Sequence, residues 1–300
     1  MDDTLVRMRR GHEFLVCVDS DGCAFDTMSL KQKDCFFPAT ERAWELERFA
    51  PYARETALFV NLYSSTRGMN RYPALVRTLR LLDRRPEARA LGYACPDLKP
   101  LEEWIRQTSA LSQGALTEHI RSLGRTEPVL ERTVEWVRTV DANIERLVRH
   151  IPPFPGVREA LRRFSVFADI VVVSTATNAD LRREWGEHGL LDLVTAVAGQ
   201  ETGSKADCIR KANGGRYPAG HVLMIGDAPG DHRAALDAGA LFYPILADRE
   251  EESWRLAEET VAEQFRSGTY AETGMGPALE RFRQTLLAEP PWPEIGADAR

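Results

Sequence analysis

Five short apolar runs punctuate the chain: Phe14–Asp19, Ile170–Ser174, Val194–Ala198, Val222–Gly226 and Leu241–Ile245. Each is dense in Val, Ile or Leu without strict apolar–polar alternation, the pattern of a strand covered on both faces. Stretches with apolar residues at three- and four-residue spacing separate the last four runs. "VREALRRF" follows Pro155-Gly156, "ADLRREWGEHGL" comes next, "SKADCIRKANGG" closes on two glycines, and "DHRAALDAGA" has its own Gly239. Strand and helix in alternation predict an α/β fold, a Rossmann-like doubly wound parallel sheet.

Roughly 150 residues lie between the first run and the second, far more than an ordinary connection needs. From about Met28 to His150 the pattern is almost wholly helical, as in "ATERAWELERFA", "RYPALVRTLRLLDRR" and "VLERTVEWVRTVDANIERLVRH". "IPPFPG" marks the exit. The expected organisation is a discontinuous core domain, residues 1–27 and 151–300, interrupted by an all-α insertion at 28–150. From about Asp248 the chain reads as amphipathic helices, a "GTYAETGMGP" break and a "PPWP" tail, expected to pack on the core with no chemistry of their own. Trp44, Trp104, Trp136 and Trp185 fall in predicted helices and read as core residues.

At 300 residues the chain can bury a large core, and 43% hydrophobic with 28% charged residues is ordinary for a globular protein. The net charge of −6 argues against nucleic acid or an anionic membrane as partner. No apolar stretch approaches the ~20 residues needed to span a bilayer. The N-terminal "MDDTLVRMRRGHE" lacks an apolar signal region, and the five cysteines form no C-x-x-C pair. Together these point to a cytoplasmic monomer or homodimer with free thiols.

In an open α/β sheet the carboxyl ends of the strands face the ligand crevice. Those ends carry Asp19 and Asp21, then Ser174 and Thr175, then Lys205, then Asp227 and Asp231. Several carboxylates in one place repel one another unless a cation joins them. A hard, oxygen-preferring dication resolves this, and Mg²⁺ held by Asp19, Asp21, Asp227 and Asp231 is the expected cofactor. It would also draw in an anionic phosphate despite the acidic surface. Asp19, at the strand tip, suits in-line attack on phosphorus, and Asp21 suits proton transfer to the leaving group and from water. Gly22 keeps the backbone slim for N–H contacts to phosphate oxygens. Ser174 offers a hydroxyl and Lys205 a positive charge, while Thr175 is a binding candidate rather than a catalytic one. In the insertion, "NLYSSTRGMNRYP" presents Arg67, Asn70 and Arg71 in a break between helices as substrate-binding candidates.

The stretches "DSDGCAFD", "VVVSTATN", "GSKADCIRKA" and "VLMIGDAPGDHRAALDAG" resemble, in order and spacing, the four motifs of the haloacid dehalogenase-like (HAD) superfamily. The resemblance covers residues 14–27 and 154–246 and is nearest in style to phosphoglycolate phosphatase-like members. It implies Asp19 as nucleophile, Asp21 as acid/base, Ser174 and Lys205 on the phosphate, and Asp227 and Asp231 supporting Mg²⁺. It also implies that the insertion is a helical C1-type cap that closes over the site and selects substrate. Cys23 stands where the family commonly has threonine, and the insertion is larger than the smaller caps.

The function expected is a Mg²⁺-dependent phosphatase acting on a small phosphorylated metabolite through an aspartyl-phosphate on Asp19. A phosphomutase or phosphotransferase would share all four motifs and differ in acceptor. A dehalogenase would need neither Asp21 nor a metal, and a phosphonate hydrolase would want a Schiff-base lysine such as Lys31, Lys33 or Lys99. A non-catalytic phospholigand-binding regulator is disfavoured by the intact set of reactive residue types.

Overall fold

The computed structural model describes residues 4–295, so the outermost residues of the expected core domain, 1–3 and 296–300, lie outside it. Its strands are β1 (Phe14–Val18), β2 (Ala168–Val173), β3 (Ala196–Ala198), β4 (Val222–Gly226) and β5 (Leu241–Pro244). All neighbours pair in parallel, in the order β3-β2-β1-β4-β5. The five predicted runs are these strands, three of them (β1, β2 and β5) ending one residue sooner than expected and two with shifted starts. β2 starts earlier, at Ala168, and β3 starts later, because Leu191–Leu193 forms a 3-10 turn just ahead of it.

Both faces of the sheet are covered. Phe14, Val16 and Val18 enter one apolar layer with Ile170, Val172, Leu223 and Ile225. Leu15 and Cys17 enter the other with Val171, Val173, Val222 and Met224. This two-sided burial is why the runs lack polar alternation; each buried aliphatic side chain is worth roughly 1.5–3 kcal/mol. The helices Val157–Ser165, Asn178–Glu187, Lys205–Asn213 and Pro229–Asp237 alternate with the strands as predicted. From β1 the chain builds outward through β2 and β3, then returns to the other side for β4 and β5. The order therefore reverses at β1, and the carboxyl ends of β2, β1 and β4 flank the switch point.

The chain divides into two compact units. One comprises the chain up to Met28 with His150–Leu286 and contains the sheet. The other comprises Ser29–Arg149 and the described residues from Leu287 on. The second unit is helical, its longest helix being Pro128–Leu147, and Tyr72, Leu79, Trp104 and Trp136 are buried in its core. The tail from Leu287, which the sequence reading grouped with the sheet domain, belongs to this helical unit instead. The Leu287 N–H donates to the Tyr63 carbonyl at 3.0 Å, and the Ile295 N–H to the Arg84 carbonyl at 2.7 Å. Trp292 packs edge-on to Phe59 at 5.2 Å, with the Arg85 guanidinium 4.2 Å from its ring centroid. A tryptophan buries more apolar area than the flanking prolines, so its pocket decides where the tail goes. No helix among the described residues is long and apolar enough to cross a membrane.

Asp169, near the start of β2, ties the amino-terminal edge of the sheet together. Almost fully buried, it accepts the N–H groups of Gly11 (2.9 Å) and His12 (3.0 Å) and the Tyr217 hydroxyl (2.7 Å). Burial alone would raise its pKa, but these donors outweigh it and hold the carboxyl below its ordinary value. Replacing Asp169 with Ala strands three buried or half-buried donors, so a loss of about 2–4 kcal/mol is expected in urea unfolding at pH 7. Because the folded pKa is depressed, this stabilisation is complete above the unfolded carboxyl value and is lost as pH falls below about 4. The wild-type advantage over Asp169→Ala should therefore shrink in acid.

Candidate active site

β1 ends at Val18, but its ladder runs one residue further: the Asp19 N–H donates to the Ile225 carbonyl at 3.0 Å. Asp19 is thereby held as firmly as the strand, and only 4% of it is exposed. The chain then turns sharply. The Ser20 carbonyl accepts the N–H groups of Cys23, Ala24 and Phe25 at 3.3, 2.9 and 3.1 Å. Gly22 adopts φ 77°, a left-handed conformation that a side chain would strain, and donates to the Phe25 carbonyl at 2.8 Å. Asp21 is partly exposed and accepts the Thr27 hydroxyl at 2.5 Å.

β4 delivers Asp227 directly after Gly226. Asp231, in the first turn of the helix Pro229–Asp237, folds back so that its Oδ2 accepts the N–H groups of Asp227 (3.2 Å) and Ala228 (3.0 Å). The fold-back is possible because residue 226 is glycine. A Cβ there would sit 2.5 Å from the Asp231 Cβ and 2.6 Å from its Oδ2. Lys205 opens the next helix upstream, Lys205–Asn213, with Ser204 as its N-cap. Its Nζ lies 2.8 Å from Asp19 Oδ1 and 2.5 Å from Asp231 Oδ1. Asp19, Asp227 and Asp231 thus bring carboxylate oxygens within 4.8 Å of one another, all buried.

Three carboxylates against one ammonium leave a formal charge of −2 in a place from which water is nearly excluded. Burial pushes the Asp19 carboxyl well above its usual range; Lys205 opposes this, and Asp231 and Asp227 reinforce it. Burial also disfavours the Lys205 ammonium, but Asp19 and Asp231 more than reverse that, so Lys205 stays charged. The residual repulsion is what a dication would relieve, and an all-oxygen carboxylate set fits a hard divalent ion.

The other predicted residues take varied positions. Ser174 follows β2, is 3% exposed, and accepts the Ala176 N–H on its hydroxyl at 3.2 Å. Thr175 is exposed. Asp21, counted among the metal ligands from sequence, stands outside the carboxylate trio, because its side chain leaves the turn on the Thr27 side. Arg67, Asn70 and Arg71 lie in the helical unit and each is engaged there. Arg67 is buried and donates to the Leu62 carbonyl at 3.0 Å. Asn70 caps the helix Arg71–Leu82, accepting the Tyr72 N–H, and Arg71 pairs with Asp141 at 2.6 Å. Cys23 is buried; its carbonyl accepts the Trp254 indole N–H at 2.8 Å, and its thiol donates to the Ile225 carbonyl at 3.7 Å. Sequence reasoning passed over Thr27, Ser20 and Glu184. Thr27 alone left a local signal, a hydroxyl six residues beyond Asp21 in the same short loop.

The sequence profile of the haloacid dehalogenase-like hydrolases matches residues 93–244, which include Ser174, Lys205, Asp227 and Asp231. This chain belongs to the haloacid dehalogenase-like hydrolase family, and it is an enzyme of the hydrolase class. Among solved structures it is similar to a haloacid dehalogenase-like family hydrolase from Streptococcus pneumoniae, with 13% identity and a TM-score of 0.44 over 82% of this chain and 91% of that one. It is also similar to a predicted phosphoglycolate phosphatase from Haemophilus somnus, with 15% identity and a TM-score of 0.42 over 79% and 87%. A third likeness is to the L-2-haloacid dehalogenase of Xanthobacter autotrophicus, with 18% identity and a TM-score of 0.37 over 90% and 86%. Likeness at these levels carries nothing about substrate. No functionally curated protein matches the sequence.

The Gly226–Asp231 contact predicts a metal-binding phenotype. At a Mg²⁺ concentration a hundred times its dissociation constant, the native protein should gain about 2.7 kcal/mol against unfolding. Gly226→Ala, which displaces Asp231, should lose most of that gain, read as the difference in thermal midpoint with and without Mg²⁺. An undiminished Mg²⁺ shift in the variant would show that Asp231 takes no part.

Proposed function

We propose that this enzyme is a Mg²⁺-dependent phosphatase that hydrolyses a small phosphorylated metabolite through an aspartyl-phosphate on Asp19. One observation carries the reading: carboxylates from the ends of two adjacent parallel strands and the following helix converge within 4.8 Å beside a half-buried lysine. Asp19, Asp227 and Asp231 would hold the ion, which when bound supplies Lewis-acid charge to the phosphate and cancels the residual negative charge of the cluster.

In the first half-reaction an Asp19 carboxylate oxygen forms a bond to phosphorus as the ester P–O bond breaks. The departing alkoxide takes a proton from Asp21, which sits two residues further on in the turn and partly in solvent. In the second half-reaction Asp21 accepts a proton from water as the water oxygen attacks phosphorus, Asp19 is released as carboxylate, and phosphate leaves. Lys205 stabilises charge that builds on the phosphoryl oxygens while keeping Asp19 aligned. Ser174, buried beside the same strand ends, and the N–H groups of the Gly22 turn bind the remaining oxygens. The helical unit is assigned the role of a substrate-selecting cap, on the strength of its insertion directly after the Asp19–Asp21 turn. Within it, Arg67 is committed to the fold, and Asn70 and Arg71 are the substrate-facing candidates. Five free cysteines, four of them buried, support placing the enzyme in the cytoplasm.

Turnover of p-nitrophenyl phosphate should require Mg²⁺, cease on chelation, and fall at least about a thousandfold in Asp19→Asn, measured as released phosphate. Undiminished turnover in that variant would remove Asp19 as nucleophile. With a sugar monophosphate, accumulation of an isomer in place of free phosphate would reassign the enzyme as a mutase.

A further inference from the structure

Between the two acids of the turn stands Ser20, fully buried. The Ser20 hydroxyl donates to Glu184 Oε2 at 2.9 Å and accepts the Trp185 indole N–H at 3.0 Å. Both partners belong to the helix Asn178–Glu187, which begins just after Ser174 and Thr175. One hydroxyl therefore links the loop after β1 to the element that follows the loop after β2. Trp185 is itself fully buried and packs edge-on to Phe25 at 5.7 Å. Phe25 closes the same turn, with its N–H on the Ser20 carbonyl. A single indole thus holds the turn at both ends, once by a hydrogen bond and once by ring contact.

Packing alone does not call for a hydroxyl at this place, since an apolar side chain would fill it. With serine there, the fully buried Trp185 indole N–H finds a partner, and leaving it unmet would cost free energy, while the half-buried Glu184 carboxylate orients the hydroxyl by accepting its proton. The hydroxyl has one position that satisfies both. Asp19 is already held by the strand ladder, through its N–H on the Ile225 carbonyl, so the anchored Ser20 acts on Asp21, one peptide bond further into the turn.

We propose that Ser20 and Trp185 are positioning residues for phosphoryl transfer, holding Asp21 at the leaving-group oxygen while Asp19 faces phosphorus. The proposal rests on the assignment of those two acids above. It predicts an effect that depends on the leaving group. Full-length Ser20→Ala and Trp185→Phe proteins are assayed with Mg²⁺ on p-nitrophenyl phosphate, whose leaving group departs without a proton, and on an alkyl phosphate, whose leaving group needs one. With the acid misplaced, kcat/KM, which reports formation of the aspartyl-phosphate and not its hydrolysis, should fall about ten- to a hundredfold on the alkyl phosphate, against about threefold or less on p-nitrophenyl phosphate. Phe164→Leu, a buried core change elsewhere in the sheet unit, should lower the thermal midpoint while leaving the ratio of the two kcat/KM values at the native figure. If Ser20→Ala does not fold, Trp185→Phe carries the test, because it keeps a ring and removes the N–H donor. Equal losses of kcat/KM on the two substrates, or a lowered midpoint with both kcat/KM values intact, would overturn the proposal. Retention of activity in Asp19→Asn would instead overturn the reading beneath it.

Discussion

The Lys205 ammonium, 2.8 Å from Asp19 and 2.5 Å from Asp231, is the contact on which the rest of the site turns. Removing a carboxylate or an ammonium from water costs several kcal/mol even after relaxation, and the pairing repays this only when geometry is close and the other oxygens are met. Here they are largely met: Asp231 takes two backbone N–H groups on its second oxygen. One cation for three carboxylates is still too few. The fold tolerates that imbalance where its strands end, and the imbalance itself makes the place attractive to a divalent ion.

The sheet supplies the rigidity that this arrangement needs. β1 is covered on both faces and bonded on both edges, so Asp19 inherits a position with little freedom. β4 lies directly beside it and, since Val18 pairs with Ile225, delivers Asp227 one residue beyond the level of Asp19. Asp231 reaches the cluster only by folding across Gly226, a close approach that no side chain permits. The strand-order reversal at β1 leaves this end of the sheet open to a ligand, while the opposite end is tied off by Asp169. Stability and chemistry are thereby assigned to opposite ends of the same strands.

The helical unit has its own core and its own polar ties. Arg85 is 3% exposed, paired with Glu55 at 2.6 Å and stacked beneath Trp292. Arg67, which reads in sequence as a surface loop residue, is likewise buried and spent on a backbone carbonyl. Long basic side chains can cover apolar surface with their stems, so composition alone does not separate a ligand-binding arginine from a packing one.

What the sequence determined by itself was whatever depends on neighbours in the chain. Solid apolar runs marked all five strands, and the acids, hydroxyl and lysine at their ends were legible because an α/β sheet puts strand ends in one crevice. The turn at Gly22 and the N-caps at Asn70 and Ser204 are local too. Tertiary structure alone decided the rest. It separated Asp21 from the carboxylate trio, joined Ser20 to Trp185 across 165 residues of chain, and drew the tail to Trp292's pocket in the helical unit. The reason is physical: a buried polar group must find its partner in space, and which partner it finds depends on how distant elements pack.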